Sequence, residues 1–189
     1  MGKRNLAFLF ILSFAFQSSL AAERITTKNW PKFADIEWGS SKEAVKKALE
    51  KKGYDCRHPK TLEGETRLFF TGMLAGEKAS GTCHFTQRKL VMIRIVYFEE
   101  KIDSDAATFG RKLTEILKKK YGAPVDVSEG KKVKVAWVTA DTPPHMPILL
   151  EGNPGEDITV NYYSLAYNGV LKKRNEQNEE QDKKSQEDF

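Results

Sequence analysis

Residues that carry redox or metal chemistry are scarce in this chain, which has two cysteines and three histidines among its 189 residues. The sequence has no Gly-x-Ser-x-Gly elbow, no glycine loop for phosphate and no His-Glu-x-x-His pattern. Acidic pairs such as Glu99–Glu100 fall at a predicted strand end, where solvated carboxylates are common. The sequence therefore predicts that the protein is not an enzyme and has no catalytic residue, metal or cofactor.

Long hydrophobic runs are missing except at the N-terminus, where the segment from Leu6 to Phe16 is interrupted only by Ser13. Two basic residues precede this run and small residues follow it, which is the pattern of a secretory signal peptide. The run is shorter than the roughly 20 apolar residues of a spanning helix. We predict a signal peptide at 1–21, a periplasmic or secreted protein, and no membrane insertion after cleavage.

An excess of one charge is also missing. Cleavage would remove Lys3 and Arg4, so the formal net charge falls from +5 to +3. This modest charge favours solubility and gives no indication of a nucleic-acid partner. Residues 171–189 are almost all charged or amide side chains, which is typical of a disordered tail. Residues 22–170 are enough for a single domain.

The central region has the pattern helix, three strands, helix, three strands. The first helix is predicted within 36–54, because Ser40 and Glu43 have capping-box spacing and Val45 and Leu49 lie on one apolar stripe. The second is predicted over 103–121. The predicted strands alternate in hydrophobicity or lie between turn residues, and they span 66–72, 80–86, 90–99, 132–140, 147–152 and 157–164.

Consecutive short strands favour antiparallel pairing, so these elements predict an α+β fold. We expect an antiparallel sheet of about six strands with two helices on one face and the other face open. The two helices share a Lys-rich end, which suggests two diverged α-β-β-β repeats. These repeat units would cover about 36–100 and 103–165.

Two short motifs give the chain a resemblance to known exported proteins. The pattern W-G-S-S-x-E-x-V occurs at 38–45, the pattern L-x-x-x-Y-G-x-P occurs at 117–124, and Trp137 follows in a strand. In these features the chain resembles the SmpA/OmlA outer-membrane assembly lipoproteins and β-lactamase inhibitor protein. The resemblance implies helix-plus-antiparallel-sheet repeats and binding of other proteins without catalysis.

Cys56 and Cys83 are the only cysteines, and an even pair in an exported protein indicates a disulfide first. Such a bridge would connect the end of the first helix to the sheet and stabilise the fold by roughly 3–4 kcal/mol. One alternative is a zinc or copper site formed by both cysteines with His58 and His84. The other alternative is a catalytic thiol paired with His58 or His145.

Strand alternation divides the predicted sheet into two faces. The helix side takes the more apolar set, namely Leu68, Phe70, Cys83, Phe85, Val91, Ile93, Ile95, Tyr97, Val133, Val135, Trp137, Ile158, Val160 and Tyr162. The open side takes a mixed set that includes Leu90. Its candidate partner-binding residues are Phe69, His84, Met92, Arg94, Asn161 and Tyr163.

Aromatic, Met and Arg side chains are enriched at protein interfaces. We therefore predict a non-catalytic protein-binding module whose partner is another envelope or secreted protein. The alternative is a binder of a small ligand or envelope component that uses the curved sheet as a shallow pocket.

Overall fold

One antiparallel sheet of nine strands forms the framework of this α+β protein. The computed structural model describes residues 25–57, 59–62, 65–98, 106–128, 133–141, 145–152 and 157–167. The elements, in chain order, are α1 (Lys42–Lys51), β1 (Asp55–Cys56), β2 (Lys60–Leu62), β3 (Glu65–Leu74), β4 (Glu77–Thr86), β5 (Lys89–Tyr97), α2 (Ala106–Tyr121), β6 (Val125–Asp126), β7 (Val133–Trp137), β8 (Ile148–Gly152) and β9 (Ile158–Tyr163).

The strand order across the sheet is β1-β3-β4-β5-β9-β8-β7-β6, and β2 pairs with β3 beside β1. The six predicted strands correspond to β3, β4, β5, β7, β8 and β9. The expected number of six is too low, because β1, β2 and β6 add two or three residues each at the edges. The predicted signal peptide, the tail at 171–189 and the predicted start of the second helix lie outside the described residues.

Helix α1 begins one residue later than the sequence pattern predicts. Its N-cap is Ser41, whose side chain accepts a hydrogen bond from the Ala44 amide, so the prediction that Ser40 caps the helix is wrong. The Ser40 backbone is used elsewhere, since its carbonyl accepts a hydrogen bond from the Leu90 amide. Gly53, with φ of +87°, follows the helix and supports the left-handed turn that ends it.

The hydrophobic core lies between one face of the sheet and the two helices. Val45 and Leu49 of α1 and Phe109, Leu113 and Leu117 of α2 belong to one buried cluster with the sheet residues. The helix-side residues predicted from alternation are buried or pack against this cluster, apart from Val91, which is half-buried, and Val133, whose side chain is outside the described set. None of the described helices is long and apolar enough to cross a membrane.

Two strand glycines make room for aromatic rings on the core side of the sheet. A Cβ added to Gly81 would lie 1.9 Å from Cζ of Phe70, its cross-strand neighbour. At Gly72 an added Cβ would lie 2.4 Å from Cδ1 of Tyr54. The absence of side chains at these positions therefore lets two large rings lie flat on the strands.

Candidate functional site

The sheet face turned away from the helices, here called the open face, brings the six predicted partner-binding residues together. Cross-strand pairing arranges them in two adjacent rows. Read from β3 to β9, the first row is Phe69, Thr82, Arg94 and Asn161. The second row is Arg67, His84, Met92 and Tyr163. The grouping predicted from alternation is therefore present, although a role in binding is a separate question.

A β-bulge corrects the predicted face of Leu90 on β5. The pairing shifts between His84 and Phe85, so that Leu90 lies opposite the core residue Phe85. Leu90 is 1% exposed and belongs to the core, so its assignment to the open side is wrong. The backbone of Leu90 also bonds to Gly39 and Ser40 ahead of α1, which holds it on the helix side.

The carboxylate of Glu65 contacts two basic side chains of the second row, Arg67 and His84. Glu65 accepts a hydrogen bond from Arg67 Nε at 2.8 Å, and its other oxygen lies 3.1 Å from His84 Nδ1. Burial lowers the pKa of His84 in spite of the opposing charge of Glu65. Because an ionised carboxylate can only accept, the Nδ1 atom of His84 donates to Glu65. Its Nε2 atom is buried and has no hydrogen-bond partner among the described residues.

Arg94 is the most accessible of the six residues. Its side chain is exposed and makes no ion pair or hydrogen bond with any part of the chain that the structure describes. Phe69, Met92 and His84 are half-buried around it. The exposed guanidinium of Arg94 shares this face with two apolar side chains and has hydrogen-bond donors available to a partner.

The β9 end of the open face is covered by the protein's own chain. Asn161 and Tyr163 are only 5% and 8% exposed. The ring of Tyr167 stacks on Tyr163 with centroids 5.6 Å apart, and Trp30 donates from its indole to the Tyr163 carbonyl at 2.7 Å. The accessible part of the predicted site is thus its β3–β5 side.

The structure shows no disulfide between Cys56 and Cys83, which are both free thiols. Cys56 pairs with Phe70 on one edge of β3, and Cys83 pairs with Leu68 across the other edge. Two strand spacings separate them by about 10 Å, beyond the ~7 Å that a disulfide can bridge between Cα atoms. Strand β3 therefore lies between the two cysteines, and the structure does not show the disulfide that the sequence predicts.

The alternative uses of the cysteines also meet geometric obstacles. Cys83 is buried in the core, whereas His84 points to the open face, so the two cannot ligate one ion. No group of three potential metal ligands occurs in the described part of the chain, and His58 lies outside it. Burial raises the pKa of both thiols, which is the opposite of what activates a catalytic cysteine.

An apolar cavity of about 180 Å³ lies between α2 and the core side of the sheet. It is lined by Phe33, Leu74, Tyr97, Leu113, Val160 and Tyr162, among others. Burial raises the pKa of both tyrosines, so their hydroxyls stay protonated. The sequence predicts a shallow ligand pocket on the curved sheet, and this cavity lies on the core side of the sheet, under α2.

Sequence reasoning missed two basic residues beside the site. The backbone of Arg57 bonds to the Phe69 carbonyl, and Lys60 pairs with Arg67 across β2 and β3. Arg57 directly follows β1 and Lys60 begins β2. These strands have only two and three residues, which is too short for an alternating pattern to be recognised in the sequence. Only the run of charged and polar residues after Gly53 indicated that this segment stays near the surface.

The fold and the open face define an α+β protein with a mostly antiparallel sheet that is covered by helices on one side. No protein-family model, no curated protein and no solved structure matches this chain.

Proposed function

We propose that this is an exported, soluble, non-catalytic protein that binds another envelope or secreted protein through its open face. The observation that carries the proposal is the unpaired, exposed Arg94 on the same face as half-buried Phe69 and Met92. Arg, Met and aromatic side chains are the types enriched where proteins meet. His84 lies on the same part of the open face, and Asn161 and Tyr163 form the less accessible end of that face.

Two sequence features support this proposal independently of the sheet. The N-terminal pattern favours export, which restricts partners to the envelope or the exterior. The resemblance to SmpA/OmlA lipoproteins and to β-lactamase inhibitor protein favours binding without catalysis. Export is checked by mass spectrometry of the protein from fractionated cells, which should reveal cleavage near residue 21.

Site-specific photo-crosslinking in the native host tests the binding face. A photoreactive residue replaces Thr82, which lies between Phe69 and Arg94, and a control places it at the exposed Lys47 on α1. We expect one dominant protein to crosslink from position 82 and not from position 47, and Arg94→Glu to abolish the product. Equal capture from both positions, or capture from neither, would contradict the proposal.

The apolar cavity favours a second candidate function, the binding of a small ligand. A volume of about 180 Å³ is close to that of cavities that hold one aromatic ring. A panel of phenols and short-chain alcohols would be screened by thermal shift, and Val160→Phe, which fills the cavity, should remove any shift. A ligand whose shift survives that substitution binds elsewhere.

A further inference from the structure

The charges on the open face are distributed unevenly. On the β1–β5 half, cross-strand pairing places six basic side chains, here called the basic patch, which are Arg57, Lys60, Arg67, Lys78, Lys89 and Arg94. Among the described residues of this half, the acidic side chains on the same face are Asp55, which pairs with Thr71, and Glu65, which pairs with Leu62. Among the described strand residues of the other half, the basic Lys134 lies directly opposite the acidic Glu151.

Most of the basic patch is not neutralised within the described residues. Arg67 is bound to Glu65 at 2.8 Å, whereas the other five members form no ion pair with any described carboxylate. Elsewhere on the molecule, lysines do find carboxylates, as Lys52 does with Asp35 at 2.8 Å. Unpaired like charges on one surface repel one another, and an anionic partner would relieve that repulsion.

The dimensions of the basic patch indicate what size of partner fits. The members other than Lys78 extend from the end of β1 and from β2, across β3, to β5, at the levels of Thr82 to Thr86. Strand spacing and rise make this area about 14 Å wide and about 14 Å long. An extended peptide covers that distance with about four or five residues.

We propose that the basic patch binds an acidic, extended segment of the protein partner, with several carboxylates within about five residues. The inference rests on the proposed function of the open face and names the chemistry of its partner. Arginine forks suit carboxylates, and half-buried Phe69 and Met92 between the charges give apolar contacts that a purely ionic ligand would leave unused.

A peptide titration tests this inference directly. The probe is a fluorescein-labelled octapeptide of six glutamates around two central phenylalanines, followed by anisotropy against the full chain. The control peptide has glutamines in place of the glutamates. We expect binding of the acidic peptide only, and weaker binding as NaCl rises from about 0.05 to about 0.3 M, because salt screens exposed charges.

Matched variants separate the patch from the net charge of the protein. The double variant Lys60→Glu/Arg94→Glu should weaken peptide binding by about tenfold or more, since each reversal turns an attraction into a repulsion. The double variant Lys47→Glu/Lys119→Glu makes the same change in net charge on the helices and should leave binding unchanged. Equal loss in both double variants, or no binding by the wild type, would overturn the inference.

Anionic phospholipid vesicles test the competing explanation, in which the basic patch binds a membrane surface. If phosphatidylglycerol vesicles bind more tightly than the peptide and lose binding in Lys60→Glu/Arg94→Glu, the patch recognises a membrane and the acidic-segment inference fails. The crosslinking experiment distinguishes this failure from failure of the proposed function. A protein that crosslinks from position 82 while the peptide does not bind would leave a protein-binding face whose partner is not acidic.

Discussion

Replacing Gly81 by alanine should be among the most destabilising single-methyl changes in the protein. The added Cβ would lie 1.9, 2.2 and 2.5 Å from three ring carbons of Phe70, whereas ordinary contacts begin at 3.4 Å. The ring would have to move by roughly 1.5 Å or more. It has little space to do so, because Phe70 is 1% exposed and packs against Phe33 and Tyr54.

The expected loss of stability in Gly81→Ala is estimated from the displacement of the Phe70 ring. Overpacking a core costs about 1–3 kcal/mol, and complete loss of a buried Phe costs about 3–5 kcal/mol. Alanine recovers up to about 1 kcal/mol by restricting the unfolded chain. We therefore expect Gly81→Ala to lower the free energy of unfolding by about 2–3 kcal/mol, measured by urea denaturation with an unchanged m-value.

Two further variants test the cause. Phe70→Leu in the Gly81→Ala background removes the clashing ring atoms, so a double-mutant cycle should show a coupling of about 1 kcal/mol or more. Gly110→Ala is the control, since its nearest foreign atom is 3.7 Å away on Ile158 and the helix gains up to about 1 kcal/mol. A cost below about 0.5 kcal/mol for Gly81→Ala, or additivity with Phe70→Leu, would refute the packing argument.

The remaining predictions concern a turn, a titrating group and the thiols. Arg88 has φ of 62°, so Arg88→Gly should raise stability by up to about 1 kcal/mol in a urea melt, and a loss would contradict the turn geometry. Burial lowers the pKa of His84 below its ordinary value of 6.5. As the pH falls below 6.5, His84 is therefore protonated in the unfolded chain before it is protonated in the folded protein, and the free energy of unfolding decreases. His84→Gln should lessen that fall between pH 6.5 and about 5, and an unchanged slope would exclude His84 as its source. A thiol reagent should modify Cys56 in the native protein while buried Cys83 reacts only after unfolding, and rapid labelling of both would contradict the described burial.

Long elements were predictable from the sequence because their pattern of apolar and polar residues repeats over several helical turns or along many strand residues. Helix α2 ends at Tyr121 as predicted, strands β3 and β4 enclose the segments predicted for them, and β5 ends at Tyr97, two residues before the predicted end of its segment. The alternation of β4 places every second residue, including Ala79, Gly81, Cys83 and Phe85, on the core side. The same alternation predicted which six residues share the open face.

The features that the sequence did not predict depend on contacts between distant segments. The bulge beside Val91 arises where the backbone of Leu90 bonds to Gly39 and Ser40, some fifty positions earlier in the chain. The separation of Cys56 from Cys83 depends on the position of β3 between them, which strand periodicity alone does not reveal. Burial of the open face near Tyr163 depends on Tyr167, whose stacking leaves no periodic signal.

The position of β9 between β5 and β8 has a consequence for how the molecule is made. Each half of the sheet presents an unfinished edge, and Ile158–Tyr163, the last of the described strands to be synthesised, closes both edges at once. Until it arrives, the apolar edge of β5 is a template for pairing with other chains. Efficient production should therefore depend on keeping the chain extended or chaperoned until its final strand is available.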